Sequence, residues 1–151
     1  MKGKAARRRA REFALQGIYQ WLLSDNSVAM IEDHVSQVGG FDKADQEFFV
    51  RTLRGVLAQA EELRADFSPF VRRTISELSP VEHSIVLIAT HELKNNLDTP
   101  YRVIINEAIE LAKEYGGTDG HRFVNGVLDR LAAALRPLEV EGARKARDGD
   151  V

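Results

Sequence analysis

The sequence has no cysteine, few aromatic side chains and no long apolar run. Without cysteine, the 151 residues can form no disulfide, no thiolate metal site and no thiol nucleophile. No apolar stretch approaches the ~20 residues that a membrane-spanning helix needs. The N-terminus is basic, but no apolar signal core follows it. These absences favour a cytoplasmic protein without membrane contact.

Charge is distributed unevenly along the chain. The net charge is only −2, and a content of 44% hydrophobic and 29% charged residues is typical of one globular domain. Residues 1–11, however, hold six basic side chains and no acidic one. Residues 12–138 hold 12 basic and 19 acidic side chains, a net of −7. A basic arm (residues 1–11) on an acidic body suggests a polyanionic partner for the arm.

Apolar residues recur at helical spacing through most of the chain, and no segment alternates as a half-buried strand would. The sequence therefore predicts an all-α domain, a compact bundle of about seven helices that the basic arm leads into. The last residues, 138–151, are rich in charge and glycine and are expected to form a disordered tail. The helices are expected near residues 5–23, 28–38, 43–66, 68–78, 79–93, 99–115 and 118–135.

The start of the fifth predicted helix carries the clearest signal. Ser79, Pro80 and Glu82 have the spacing of a capping box with proline at the first helical position. The helix that follows is apolar on nearly all sides, which is typical of a central, buried helix. Asp119 or Thr118 is expected to cap the last predicted helix.

No arrangement of side chains favours catalysis. His91 and Glu92 lack the partner at i, i+4 that a helical zinc site needs. Glu107, Glu110 and Glu114 recur at helical spacing, but without the Glu-x-x-His pattern of di-iron bundles a solvated acidic face is the better interpretation. We therefore expect no catalytic residue, no metal and no cofactor.

Arginine and phenylalanine supply the chemistry of nucleic-acid binding. Arginines crowd the arm just before an amphipathic helix, where like charges at the positive end of the helix dipole favour a frayed start and bound phosphates would reverse that effect. Phe123 follows Arg122 after a glycine-rich loop, so its ring can stack on an unpaired base or anchor the core. Phe70 and Tyr19 leave the same choice open. A merely solubilising arm also remains an alternative.

Three stretches support a family resemblance. Residues 5–12 (AARRRARE), 100–113 (PYRVIINEAIELAK) and 122–129 (RFVNGVLD) resemble, in this order, the NusB family of bacterial transcription antitermination factors. The similarity extends over about residues 4–137 and leaves only the tail unmatched. Three motifs in the correct order are far more specific than any one of them.

The resemblance implies a fold of seven helices in two packed subdomains and a binding protein, not an enzyme. NusB proteins pair with NusE, a small-subunit ribosomal protein. The pair binds single-stranded boxA RNA in ribosomal RNA and other leader transcripts. With other Nus factors, it helps RNA polymerase resist termination. The alternative is a self-associating helical scaffold with a basic tail and no RNA role, since some family members form homodimers.

The resemblance also implies site residues. Phe70 stands where the family often has a tyrosine, so the ring is kept and a hydroxyl is lost. Tyr19 and Glu82 match positions that face the protein partner, although Glu82 also belongs to the capping box. The positions that match RNA-binding residues of the family are Arg7, Arg8, Arg11, Phe70, Asp119, Arg122 and Phe123.

Overall fold

A computed structural model describes residues 3–149. Lys2 of the predicted arm and Asp150 of the predicted tail lie outside these residues. Within residues 3–149 all regular structure is helical, which confirms the predicted all-α class. Three short 3₁₀ turns, at Phe41–Lys43, Ser68–Phe70 and Ile75–Glu77, connect longer helices. The α-helices are α1 (Lys4–Leu23), α2 (Val28–Ser36), α3 (Gln46–Phe67), α4 (Pro80–Asn95), α5 (Tyr101–Tyr115), α6 (Gly120–Leu135) and α7 (Pro137–Gly149).

Helix α4 begins with the predicted capping box. The Glu82 amide donates to Ser79 Oγ at 3.1 Å, and the Ser79 amide donates to Glu82 Oε1 at 3.3 Å. Two backbone donors that the helix leaves unpaired are thereby satisfied, and Pro80 takes a position that needs no donor.

Helix α4 is also the predicted central helix. Every residue from His83 to Leu93 is buried. Helix α4 packs both on the pair α1 and α3 and on the pair α5 and α6. The apolar side chains of these helices form one continuous core cluster. The two groups of helices are therefore joined through α4.

The segment 68–78 differs from its prediction. Instead of one amphipathic helix it forms two 3₁₀ turns, with extended backbone at Val71 between them. Its apolar side chains reach the core only at separated points, because Phe70, Val71 and Ile75 are partly buried and Leu78 is buried. Such scattered burial does not offset the ordering cost of a continuous helix.

The C-terminal segment also differs from its prediction. Residues 137–149 form α7 where a disordered tail was expected. Val140 and Ala143 pack partly against the core, and Glu139 Oε2 accepts a 2.8 Å hydrogen bond from the Tyr101 amide at the start of α5. An apolar pair at i, i+3 and the hydrogen bonds to Glu139 therefore hold a helix whose other side chains are charged or exposed.

Arg136 joins α6, α7 and the end of α4. Its guanidinium is buried and donates to the carbonyl oxygens of Leu93, Asn96 and Thr99 at 3.0, 2.9 and 2.6 Å. It also donates to Glu139 Oε1 at 3.0 Å. Carbonyls near the C-terminus of a helix lack partners within the helix, so this cation satisfies them and complements the helix dipole.

Two histidines of α4 are buried against α3. Arg64 Nε donates to His83 Nε2 at 3.0 Å, so His83 must be neutral at that nitrogen. Burial, and secondarily the positive charge of Arg64, lower the pKa of His83 from 6.5 to about 4. His91 packs closely on Gly55, and burial lowers its pKa as well.

These contacts predict acid sensitivity between pH 6.5 and 4. Because the pKa of His83 is lowered in the folded state, the unfolded chain binds more protons in this window, and the free energy of unfolding falls as the pH is lowered. His83→Gln keeps an acceptor for Arg64 but does not titrate. Denaturant unfolding at several pH values should show that the free energy of unfolding changes less steeply with pH for this variant than for the parent. Equal slopes would contradict the role of His83.

Candidate nucleic-acid interface

The described part of the basic arm is the first turns of α1. Arg8 donates from Nε and Nη2 to the two carboxylate oxygens of Glu107 at 3.1 and 2.7 Å. The Asp45 amide donates to the Ala6 carbonyl at 2.9 Å. The frayed start expected for isolated like charges is absent from Lys4 onward, because acidic groups of the body neutralise the arginines.

Arg11 is buried in the body. It is 3% exposed and donates from Nε and Nη2 to both oxygens of Glu92, at 2.9 and 2.8 Å. Its Nη1 also reaches Glu107 at 3.4 Å. The Phe48 ring lies against the guanidinium carbons of Arg7 and Arg11, at 4.7 and 5.1 Å. Arg11 therefore holds α1 on α4 and α5, and its donors face away from solvent.

The acidic side chains of α5 do not form one solvated face. Glu107 is 4% exposed and is shared by Arg8 and Arg11, whereas Glu110 and Glu114 are exposed as expected. The interpretation of Glu107 as a surface carboxylate is wrong. Its partners lie 96 and 99 residues away in the sequence, so helical spacing alone could not reveal them.

A second basic surface lies between the 3₁₀ turns and the start of α6. We call it the groove; its volume is about 540 Å³. It brings together four of the predicted RNA-binding residues, while Arg7, Arg8 and Arg11 lie on α1, outside its lining. The groove residues are Phe70, Arg72, Arg73, Asp119, Arg122, Phe123, Gly126, Val127 and Arg130.

Both rings of the groove are partly buried and have an arginine beside them. The guanidinium carbon of Arg73 lies 4.4 Å from the Phe123 ring centre, and that of Arg130 lies 5.9 Å from the Phe70 ring centre. Arg130 also donates to the carbonyl oxygens of Phe70 and Gly126, at 2.7 and 3.1 Å. Each ring thus packs on the core on one side and contacts a cation at the groove. The contact of Phe123 with the core agrees with the anchor interpretation, and base stacking by its ring stays a prediction.

The remaining groove charges are open to solvent. Asp119 takes the N-cap position of α6, but its side chain makes no capping hydrogen bond. It lies 4.0 Å from Arg122 Nη1, and both side chains are more than three-quarters exposed. Such a pair contributes little to stability. The sequence analysis missed Arg72, Arg73 and Arg130, although a basic pair two residues after Phe70 was a usable signal.

The two predicted protein-contact residues have different surroundings. Tyr19 is 40% exposed on α1. The side chain of Glu82 is 13% exposed; beyond the capping box, its Oε2 lies 3.6 Å from Arg73 Nη2. Glu82 therefore helps to hold Arg73 over Phe123, which gives this residue a structural role in the groove.

In residues 3–149 we find no helix with the length and hydropathy of a membrane span. The same residues contain no group of three or more histidine, aspartate or glutamate side chains placed to hold a metal ion.

Arg11 is buried and Arg9 is exposed on α1, so replacing each arginine should affect the stability of the protein differently. Arg11→Ala leaves the buried Glu92 carboxylate without its partner, which should lower the free energy of unfolding by ~3–5 kcal/mol. Arg9→Ala is the matched control, because Arg9 is exposed on the same helix turn. Denaturant unfolding should find the control close to the parent. Equal losses for both variants would contradict the buried pairing.

Comparison with known proteins agrees with this fold. The model of the NusB family matches residues 8–133. The transcription antitermination protein NusB of Aromatoleum aromaticum is 72% identical over 144 residues, which cover 95% of this chain and 99% of that protein. The NusB of Azoarcus sp. is 63% identical over 149 residues, covering 98% and 96%. Neither name describes a catalytic activity.

Solved structures show the same architecture. NusB of T. maritima superposes with a TM-score of 0.76 at 29% identity, covering 87% of this chain and 92% of that one. The NusB-type fold also occurs in a crystal structure of the antitermination factors NusB and NusE in complex with double-stranded RNA, with a TM-score of 0.76, 21% identity and coverage of 87% and 99%. The resemblance of the three stretches is thereby confirmed, and the chain belongs to the NusB family of transcription antitermination proteins.

Proposed function

We propose that this protein acts with NusE to bind boxA RNA in ribosomal RNA and other leader transcripts. In the cytoplasm, with other Nus factors, this complex helps RNA polymerase resist termination. The function rests on one observation: the groove combines two aromatic rings with four arginines and a single aspartate on the surface of a NusB-family protein. A protein of the same fold forms a complex with NusE and double-stranded RNA, which supports NusE as the partner and RNA as the class of ligand.

The groove has the chemistry for single-stranded RNA. Aromatic rings stack on unpaired bases of any sequence, and arginine forks bind phosphates in bidentate fashion. Arg72 and Arg122 are exposed, and Asp119 pairs only weakly with Arg122. Phosphates would therefore find donors that are not committed to buried partners. Bases stacked on Phe70 and Phe123 would present their edges to hydrogen bonds, and those hydrogen bonds would supply the sequence preference.

The arm contributes attraction more than recognition. Arg8 keeps about half of its side chain exposed, and its Nη1 makes no hydrogen bond within the described chain. Because a guanidinium has five donors, Arg8 can contact a phosphate without leaving Glu107. Arg9 is exposed. Arg7 and Arg11 instead fix the helix that carries these charges, so we assign them an indirect role in RNA binding.

The acidic body suits a basic protein partner such as NusE. The net charge of −7 over residues 12–138 would accelerate association with such a partner and disfavour indiscriminate RNA binding. Tyr19 is exposed and can contribute directly to this contact. Glu82 can act through its remaining exposed edge. RNA bound to both proteins should be held more tightly than RNA bound to one, because each ligand favours the other.

Replacing the Phe123 ring tests the function. Phe123→Leu keeps an apolar contact with the core but removes the flat ring, so boxA RNA binding should weaken by ~1–3 kcal/mol if a base stacks there. The measurement is a mobility shift with boxA RNA, run with and without NusE. We expect tighter binding with NusE for every variant that keeps the groove.

Leu97→Ala is the control for Phe123→Leu, because Leu97 is exposed outside the groove. Thermal unfolding of each variant separates a binding defect from a folding defect. Unchanged RNA affinity of folded Phe123→Leu would contradict base stacking. If size-exclusion chromatography shows a homodimer that does not bind boxA RNA, with or without NusE, the scaffold alternative is favoured.

Salt dependence tests the arm. Replacing Arg8 and Arg9 with glutamine should reduce the slope of log affinity against log salt by ~0.7 for each lost phosphate contact. The matched control replaces Arg54 and Lys145, two exposed cations outside the arm and the groove. An unchanged slope for the arm variant would show that these residues do not contact RNA.

A further inference from the structure

Helix α7 forms one wall of a third basic surface, which we call the cleft. The cleft lies between α5, α6 and α7 and has a volume of about 410 Å³. Its polar lining comprises Arg102 and Asn106 from α5, Asn125 and Asp129 from α6, and Arg144 and Arg147 from α7. None of these residues lines the groove.

The arginines of the cleft are poorly neutralised. Within the described residues, Arg102 and Arg147 have no carboxylate oxygen within 4.0 Å, and Arg144 lies 3.9 Å from an exposed Glu141. Asp129 is the one acidic residue of the lining. Three cations held around one cavity repel one another, and an anion bound among them would remove that repulsion.

This arrangement is fixed by structure on either side of it. The Tyr101 amide, next to Arg102, donates to Glu139 of α7 at 2.8 Å. The buried Arg136 holds the same Glu139 at 3.0 Å and fixes the junction of α6 and α7. Val140 packs on the core from within the cleft lining. The arginines of α7 therefore face α5 because α7 is anchored at its start.

The chemistry and size of the cleft suit one nucleotide. Arginine forks match a phosphate, whereas the amides of Asn106 and Asn125 and the carboxylate of Asp129 can bond base edges or a ribose hydroxyl. The volume is within the range of small-ligand sites, ~300–1,000 Å³. An acidic peptide would also suit the arginines, but its acidic side chains offer no base edge or ribose hydroxyl to the asparagine amides and the Asp129 carboxylate, so a nucleotide is favoured.

The cleft and the groove occupy neighbouring faces of α6. At 3.6 residues per turn, their α6 residues are centred about 90° apart around the helix. Gly126 lines the groove on the side nearest the cleft, in the interior of the helix, and a Cβ atom built there would meet nothing within 4 Å. Its φ is not positive, so neither packing nor backbone conformation requires glycine. Glycine nevertheless weakens a helix relative to alanine. Close approach of another backbone, such as that of an RNA strand, would account for glycine at this position.

We propose that the cleft is a second nucleotide-binding subsite, which an RNA strand bound in the groove reaches by crossing α6 over Gly126. The inference rests on the proposed RNA-binding function and extends it to a surface made by α7. Phosphates of the strand contact Arg102, Arg144 and Arg147, and one base lies against the asparagine amides.

A series of boxA-containing RNAs of increasing length tests this path. The variant Arg102→Gln/Arg147→Gln should bind RNA long enough to span both surfaces about tenfold more weakly than the parent, with a salt slope reduced by ~1.4 for two phosphates. Binding of RNA that fills only the groove should not change. The control Arg54→Gln/Lys145→Gln removes the same charge, and Lys145 lies on α7 outside the cleft lining.

Paired glycine variants test the crossing point. Gly126→Ala and Gly142→Ala both lie in helix interiors where a Cβ meets no neighbour. Both should raise the melting temperature by about 2–4 °C, since alanine favours the helix. Only Gly126→Ala should weaken the binding of RNA long enough to span both surfaces, by about tenfold for the lost close contacts, whereas RNA that fills only the groove should lose less.

Several results would overturn the inference. One is unchanged affinity of long RNA for the cleft variant, another is an equal loss with short and long RNA, and a third is full RNA affinity of Gly126→Ala. Saturable binding of adenosine monophosphate that needs the cleft arginines, while RNA binding does not, would assign the cleft to a free nucleotide.

If no RNA binds the parent, with or without NusE, the proposed function fails together with the inference. If Phe123→Leu loses RNA of every length while the cleft variant loses none, only the inference fails.

Discussion

The buried pairing of Arg11 with Glu92 and Glu107 is the interaction on which the arrangement of helices depends. It joins α1, α4 and α5 in a region where every participating residue is at most 4% exposed. Burial makes a charge costly unless its partner and its hydrogen bonds are in place, so this contact admits few other orientations of α1. Phe48 lies against the same guanidinium and extends the constraint to α3.

This constraint divides the arginines between structure and surface. Charges that look alike in the sequence end in different environments, because successive positions on a helix point about 100° apart. Arg11 faces the core, Arg8 lies at its edge and Arg9 faces solvent. A basic run at the start of an amphipathic helix therefore supplies a fold-stabilising ion pair and an outward positive surface at once.

Capping signals and apolar spacing in the sequence predicted most of the fold. The capping box at Ser79 and the apolar run of α4 depend on neighbours within a few residues, so the sequence contained the needed information. Only part of the groove could be predicted from the sequence. Phe70 and Phe123 were identified as candidates, whereas the contact of Arg73 with Phe123 depends on tertiary packing. The same holds for the role of Glu107. Helix α7 was missed because its two apolar contacts are few beside its charges.

The position of Arg136 has a consequence for how the last helix can vary. Arg136 binds the end of α4 mainly through backbone carbonyls, so this contact does not depend on the side chains that follow Arg136. Insertions, deletions or new side chains downstream of Glu139 would leave the bundle closed. The C-terminal helix is thus a place where a lineage can remodel the outside of the molecule without endangering its interior.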